Sequence, residues 1–100
     1  MLIFTHFYKL QNLSINKGNN YFYLGTLLIQ WGTLSGISNN TTRYQNFSVP
    51  FKDTNYAIVH QNRSSEHSNN VPIRTNVKET TRFGVYAYQV WAIDWIAIGF

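Results

Sequence analysis

No cysteine occurs in the 100 residues, so neither a disulfide framework nor a zinc–thiolate site can hold this chain together. Charge is scarce as well. Charged residues make up 12% of the chain, about half the usual globular share. Only four residues are acidic, Asp53, Glu66, Glu79 and Asp94, and no two of them form a local motif. A glycosidase needs two carboxylates at a defined separation, and neither a nucleophile elbow nor a phosphate-cradling glycine loop is present. The chain therefore reads as a non-enzyme. No apolar run approaches the ~20 residues of a membrane span. The opening Met1–Leu10 segment lacks a basic region and its apolar run is broken by Thr5 and His6, so it is not read as a signal peptide. The net charge of +4 comes from eight scattered Lys and Arg residues with no basic stripe, which argues against nucleic-acid binding.

What the chain does have is hydrophobic and aromatic material: 44% and 17% of its residues. A chain this short is one domain, and burying enough surface favours association with copies of itself. Clusters rich in Asn, Ser, Thr and Gly punctuate it at 16–20, 35–41, 62–70 and 79–81. Between them lie short segments rich in aromatic and β-branched residues. That rhythm predicts a small antiparallel β-sandwich of about six strands, with no helix. The strands are expected at about 21–31, 43–51, 56–61, 71–77, 82–88 and 91–100. Gly25 offers a bulge in the first. Pro50 makes the second an edge strand or ends it. In the fourth, Val71, Ile73, Thr75 and Val77 point inward. In the fifth, Phe83, Val85 and Ala87 point inward while Tyr86 and Tyr88 point out.

The closing segment breaks the alternation. Trp91, Ile93, Trp95 and Ala97 share one face, and Ala92, Ile96, Ile98 and Phe100 the other, with Asp94 the only charge. A strand apolar on both faces must be covered on both. The expected covers are the sandwich core on one side and neighbouring subunits of a homotrimer on the other. Residues 1–20 fit the pattern poorly and read as a connector or upstream remnant, which leaves 21–100 as the domain proper.

Two motifs stand far apart in the chain: Leu-Leu-Ile-Gln-Trp-Gly at 27–32, and Trp-Ile-Ala-Ile-Gly-Phe at 95–100. Between them come Phe47-Ser-Val-Pro-Phe51, Tyr56-Ala-Ile-Val59 and Thr80-Thr-Arg-Phe83. In this order they resemble the C-terminal domain family of phage tail-fibre proteins, over about residues 21–100. The second half also resembles the H-type lectin domain, which shares the Phe turn and the Trp-x-Ala-x-Gly ending. The resemblance implies a trimeric tip at the distal end of a tail fibre on the virion, or in the bacterial cytoplasm before assembly when a prophage encodes it. It implies an upstream fibre shaft, and attachment to a bacterial surface glycan or protein receptor without cofactor or membrane insertion. It also places Arg74 near an arginine with which H-type lectins hold sugar. The aromatic and histidine loop of those lectins is reduced here to Ala87–Trp91, so their sugar specificity does not carry over. A purely structural trimerisation cap and a free-standing secreted lectin are the competing readings.

Sugar binding calls for an aromatic face and planar polar groups. Tyr86, Tyr88 and Arg74 are expected on one outward face, and Arg63 and His67 lie in the longest polar loop. These five are the candidate ligand residues. Trp31, Trp91, Trp95, Ile96, Ile98 and Phe100 are the candidate core and trimer residues. His60 and His67, without supporting ligands, make a poor metal site.

Overall fold

A computed structural model describes residues 15–63, 73–88 and 90–100. Among these residues eight antiparallel strands form two sheets: β1 Ile15–Gly18, β2 Tyr21–Leu24, β3 Leu27–Ser35, β4 Thr41–Asn46, β5 Ala57–Asn62, β6 Ile73–Lys78, β7 Arg82–Ala87 and β8 Ala92–Gly99. One sheet has the order β1-β2-β3-β8-β5, the other β4-β7-β6. The first sheet reaches into the segment read as a connector, because β1 pairs with β2 along its whole length.

Two strands exceed the expected six: β1 lies in the segment read as a connector, and the first expected strand is split for a local reason. Gly25 is not a bulge but the first residue of a two-residue turn between paired Leu24 and Leu27. Its φ of 62° suits the hairpin turn that prefers Gly at that position, so the first expected strand folds back as β2 and β3. The second expected strand is also shorter. β4 stops at Asn46, and residues 47–51 leave the sheet to plug the sandwich. Phe47, Val49 and Phe51 still point inward while Ser48 and Pro50 are exposed. Their backbone is satisfied outside any ladder. Phe47 N–H donates to Thr81 O at 2.9 Å and Phe51 N–H to Thr80 O at 2.9 Å.

Gln30 completes this arrangement. It is fully buried, its Nε2 donates to Val49 O at 2.7 Å, and its Oε1 accepts from Val49 N–H at 3.1 Å. The amide thus meets both hydrogen-bonding needs of a backbone residue that no strand pairs.

The core between the sheets comprises Leu28, Leu34, Ile37, Phe51, Tyr56, Phe83, Val85, Ala87, Val90, Ile93, Trp95 and Ala97. Phe47 is the hub of its aromatic part, with ring centroids 4.9 Å from Phe51, 5.1 Å from Tyr56, 5.5 Å from Phe83 and 5.9 Å from Trp95. Gly32 and Gly99 occur in the two motifs because neighbours press on them. A Cβ on Gly32 would lie 3.1 Å from the Trp95 ring, and one on Gly99 2.6 Å from Tyr56 Cβ. Trp95 is core, yet its Nε1–H has no partner among the described residues. Trp31 and Trp91 are not core. Trp31 lies on the outer face of the five-stranded sheet, tilted against Phe22 at 6.1 Å. Trp91 precedes β8 and is 48% exposed.

A register shift between Thr75 and Val77 changes the facing of β6. Thr75 pairs with inward Val85, but Val77 pairs with outward Gly84. Val77 therefore sits on the outer face, contrary to the alternation of the sequence, since one extra residue flips every side chain beyond it.

Candidate functional site

The outer faces of the two sheets differ in chemistry. On the five-stranded sheet the register places Phe22 opposite Ile29, Ile29 opposite Ile98, Trp31 opposite Ile96, and Ile96 opposite Val59. This apolar band crosses β2, β3, β8 and β5. Val59 is 66% exposed, Ile96 45% and Ile98 40%, and Phe100 continues the band beyond β8. A shallow groove of about 710 Å³ runs over Trp31, Val59 and Ile96. At one end sits a polar cluster: Thr33 Oγ1–H donates to Asp94 Oδ1 at 2.7 Å, and Arg63 Nη1–H donates to Thr33 Oγ1 at 3.1 Å. Arg63 Nη1 and Asp94 Oδ1 are 3.8 Å apart in an exposed ion pair. Beside the groove, partial burial pulls the His60 imidazole below its ordinary pKa, and a hydrogen bond to its own backbone partly offsets this.

The three-stranded sheet turns a polar and aromatic face outward. Arg74 on β6 is paired with Tyr86 on β7, and its guanidinium carbon lies 5.1 Å from the Tyr86 ring centroid. Asn40, in the turn before β4, takes a left-handed backbone (φ 58°), which Asn tolerates, and its N–H donates to Ala87 O at 3.2 Å. Its side-chain Oδ1 accepts from the Tyr86 hydroxyl at 3.1 Å. Tyr88, 45% exposed, completes a pocket of about 270 Å³ with Asn40, Arg74 and Tyr86. That is near the lower edge of ligand-pocket volumes.

Of the five candidate ligand residues, the fold thus brings Arg74, Tyr86 and Tyr88 together. Arg63 is elsewhere, tied to Thr33 and Asp94 on the other sheet. His67 lies outside the described residues. Asn40 was not singled out from the sequence, although its place in an Asn-Asn turn was the available signal. Ile96, Ile98 and Phe100 lie on the apolar outer face, with Trp31. Among the described residues, no group of three or more His, Cys, Asp or Glu side chains could hold a metal ion.

Two antiparallel sheets packed face to face, one apolar and the other aromatic and polar on the outside, define a β-sandwich module. Residues 15–100 match the family model described as "Putative tail fiber protein gp53-like, C-terminal", and the chain belongs to that family of tail-fibre C-terminal domains. Solved structures share the fold. The C-terminal part of the R2 pyocin fibre of P. aeruginosa superposes with a TM-score of 0.70 at 18% identity, over 87% of this chain and 25% of that one. An N-truncated R2-type pyocin tail fibre gives 0.67 at 17% identity, over 87% of this chain and 37% of that one. The chain thus spans only 25% and 37% of these two solved chains, which are themselves truncated parts of their fibres. No curated protein matches it.

Proposed function

We propose that this domain is a non-catalytic attachment module: it assembles as a homotrimer at a fibre tip and binds a bacterial surface glycan through the Arg74–Tyr86–Tyr88–Asn40 pocket. The observation that carries the reading is the opposite chemistry of the two outer faces. An apolar band with Val59 and Ile96 exposed this far is a liability for a lone domain and ordinary for an interface. Copies of the same chain are its natural cover, since a chain with 12% charged residues has few other means of staying in solution. The Arg63–Asp94 pair at the end of the band suits a polar interface rim. With the apolar faces turned inward, the Arg74 pocket faces solvent. Its exposed tyrosine and guanidinium are what sugar recognition requires.

Two measurements test this. Light scattering on the purified chain should give the mass of three copies; a well-folded monomer at high concentration refutes the assembly. Labelled protein should bind host cells or extracted surface polysaccharide, and Arg74→Ala with Tyr88→Ala should lose that binding while keeping the parent's mass. Undiminished binding by that variant would refute the pocket as the site, and no binding by the parent would leave the domain a structural cap.

A further inference from the structure

The outer face of the three-stranded sheet extends beyond the pocket. Arg82, Gly84 and Tyr86 are the outward positions of β7, and Thr42 and Tyr44 of β4 stand opposite Tyr86 and Gly84. Gly84 forms the floor between them. A Cβ there would lie 2.8 Å from Thr42 Cγ2, 3.1 Å from Val77 Cβ and 3.2 Å from Tyr44 Cε1, so those side chains close over it. Asn76 Nδ2–H donates to Thr42 Oγ1 at 2.8 Å and bridges β6 to β4. The result is a second ring–guanidinium stack beside the first. Arg82 Cζ lies 3.9 Å from the Tyr44 ring centroid, and Tyr44 is 39% exposed. Tyr44 stands one two-residue step, about 7 Å, from the Tyr86 row.

The two stacks differ in their hydrogen-bonding balance. Arg82 is paired with Glu79 Oε2 at 3.1 Å, so the Tyr44 station holds a cation together with a carboxylate acceptor. Arg74 has no carboxylate and no hydrogen-bond acceptor among the described residues; the Tyr86 ring is its contact. Asn40 Oδ1 accepts from the Tyr86 hydroxyl, and the Asn40 side chain, with its two amide N–H donors, lines the pocket. Among the described residues the pocket lining offers the Arg74 and Asn40 donors with the two tyrosine hydroxyls and holds no carboxylate. Sugar hydroxyls need acceptors as well as donors, whereas an anion needs donors only. A stacked guanidinium is also already oriented, so little freedom is lost when it grips an anionic oxygen.

Building on the attachment reading above, we propose that this sheet face is a two-station track for an acidic glycan. The Arg74 pocket takes a sugar bearing a carboxylate or phosphate, and the Tyr44–Arg82–Glu79 station takes a neighbouring residue of the same glycan chain. The guanidinium of Arg74 grips the anion, Tyr88 covers the apolar side of the ring, and Tyr44 extends the contact along the polymer.

The test is NMR titration of the full chain. The probes are galacturonic acid as mono-, di- and tetrasaccharide, the same oligomers reduced to galactose, and phosphomannan oligosaccharides. The uronic or phosphorylated probes should move the signals of Arg74, Tyr86 and Tyr88, and the reduced ones should not; which acidic set binds more tightly tells carboxylate from phosphate. Arg74→Gln should weaken acidic binding about tenfold at every length. The tetrasaccharide should bind about threefold to tenfold more tightly than the monosaccharide. Tyr44→Ala should remove that gain and leave the monosaccharide unaffected. Equal binding of the reduced probes, or no response to any acidic one, overturns the acidic specificity. A length gain that survives Tyr44→Ala overturns the second station. Either result leaves the attachment reading standing if the Arg74 and Tyr88 variants still fail to bind cells. If those variants adsorb normally, the attachment reading itself falls.

Discussion

Replacing Ile96 with Asp should dissolve the trimer proposed above and spare the fold. Ile96 points out of β8 toward Trp31 and Val59, and 45% of it stays exposed in a single chain. Full burial of an isoleucine is worth about 1.5–3 kcal/mol. Covering the remaining share thus contributes about 0.7–1.4 kcal/mol per copy, or about 2–4 kcal/mol for three copies. The carboxylate adds several kcal/mol of desolvation cost per ion in a closed interface. A total beyond about 5 kcal/mol lowers the assembly constant more than a thousandfold. Within one chain the same change meets solvent and costs about 1 kcal/mol or less in strand preference. Light scattering over a dilution series, with circular dichroism alongside, separates the two effects. Val59→Lys, at a still more exposed place on the same band, should behave alike, whereas Ile93→Asp, fully buried on the opposite face of β8, should unfold the chain. An Ile96→Asp protein that keeps the mass of three copies refutes the assignment of this face.

Three further outcomes follow from the interior. Gln30→Leu strands both polar groups of Val49 in the core and should cost about 2–4 kcal/mol, read by urea unfolding. Gly99→Ala forces a Cβ to within 2.6 Å of Tyr56 Cβ and 2.9 Å of Tyr56 Cα; it should cost about 1–3 kcal/mol, a fall in Tm of about 4–8 °C per kcal/mol for a domain of this size. The folded-state pKa of His60 lies below its ordinary value because of burial, so the unfolded chain binds the proton more readily. Its contribution to stability is full above pH about 6.5 and is lost as the pH falls through the window below. His60→Gln should flatten that part of the stability–pH curve, and an unchanged slope would contradict the assignment.

The sequence made the sandwich legible because alternation survives wherever one face is buried: Phe83, Val85 and Ala87 point in and Tyr86 points out, as their order implies. Phe47, Val49 and Phe51 kept their facing even without a ladder, because the core needs those rings more than it needs a strand. Turn chemistry hid the first hairpin, since a lone Gly25 serves a bulge or a tight turn equally well. The bulge at Thr75–Val77 hid the true face of Val77, because nothing in Thr-Asn-Val marks an extra residue. Trp31 stands among the candidate core and trimer residues; its parity in β3, opposite Ile96, puts it on the outer face. For the site, Arg74 and the two tyrosines could be grouped from strand alternation. Asn40 and Tyr44 could not, since their contribution depends on β4 pairing with β7 some 40 residues away.

The position of β8 governs how this molecule can be made. β3 and β5 never pair with each other; they are joined only through β8, with Leu28 meeting Gly99 and Asn62 meeting Ile93. Until the ribosome has delivered that segment, β5 has no neighbour in the larger sheet, and the tryptophan that seals the interior is missing. Folding must therefore wait for contacts of long sequence separation, which are slow to form. In that interval the nascent chain displays greasy strand edges that invite aggregation. Shortening β8 would cut β5 away from the rest of the sheet, where trimming β1 would only narrow its border.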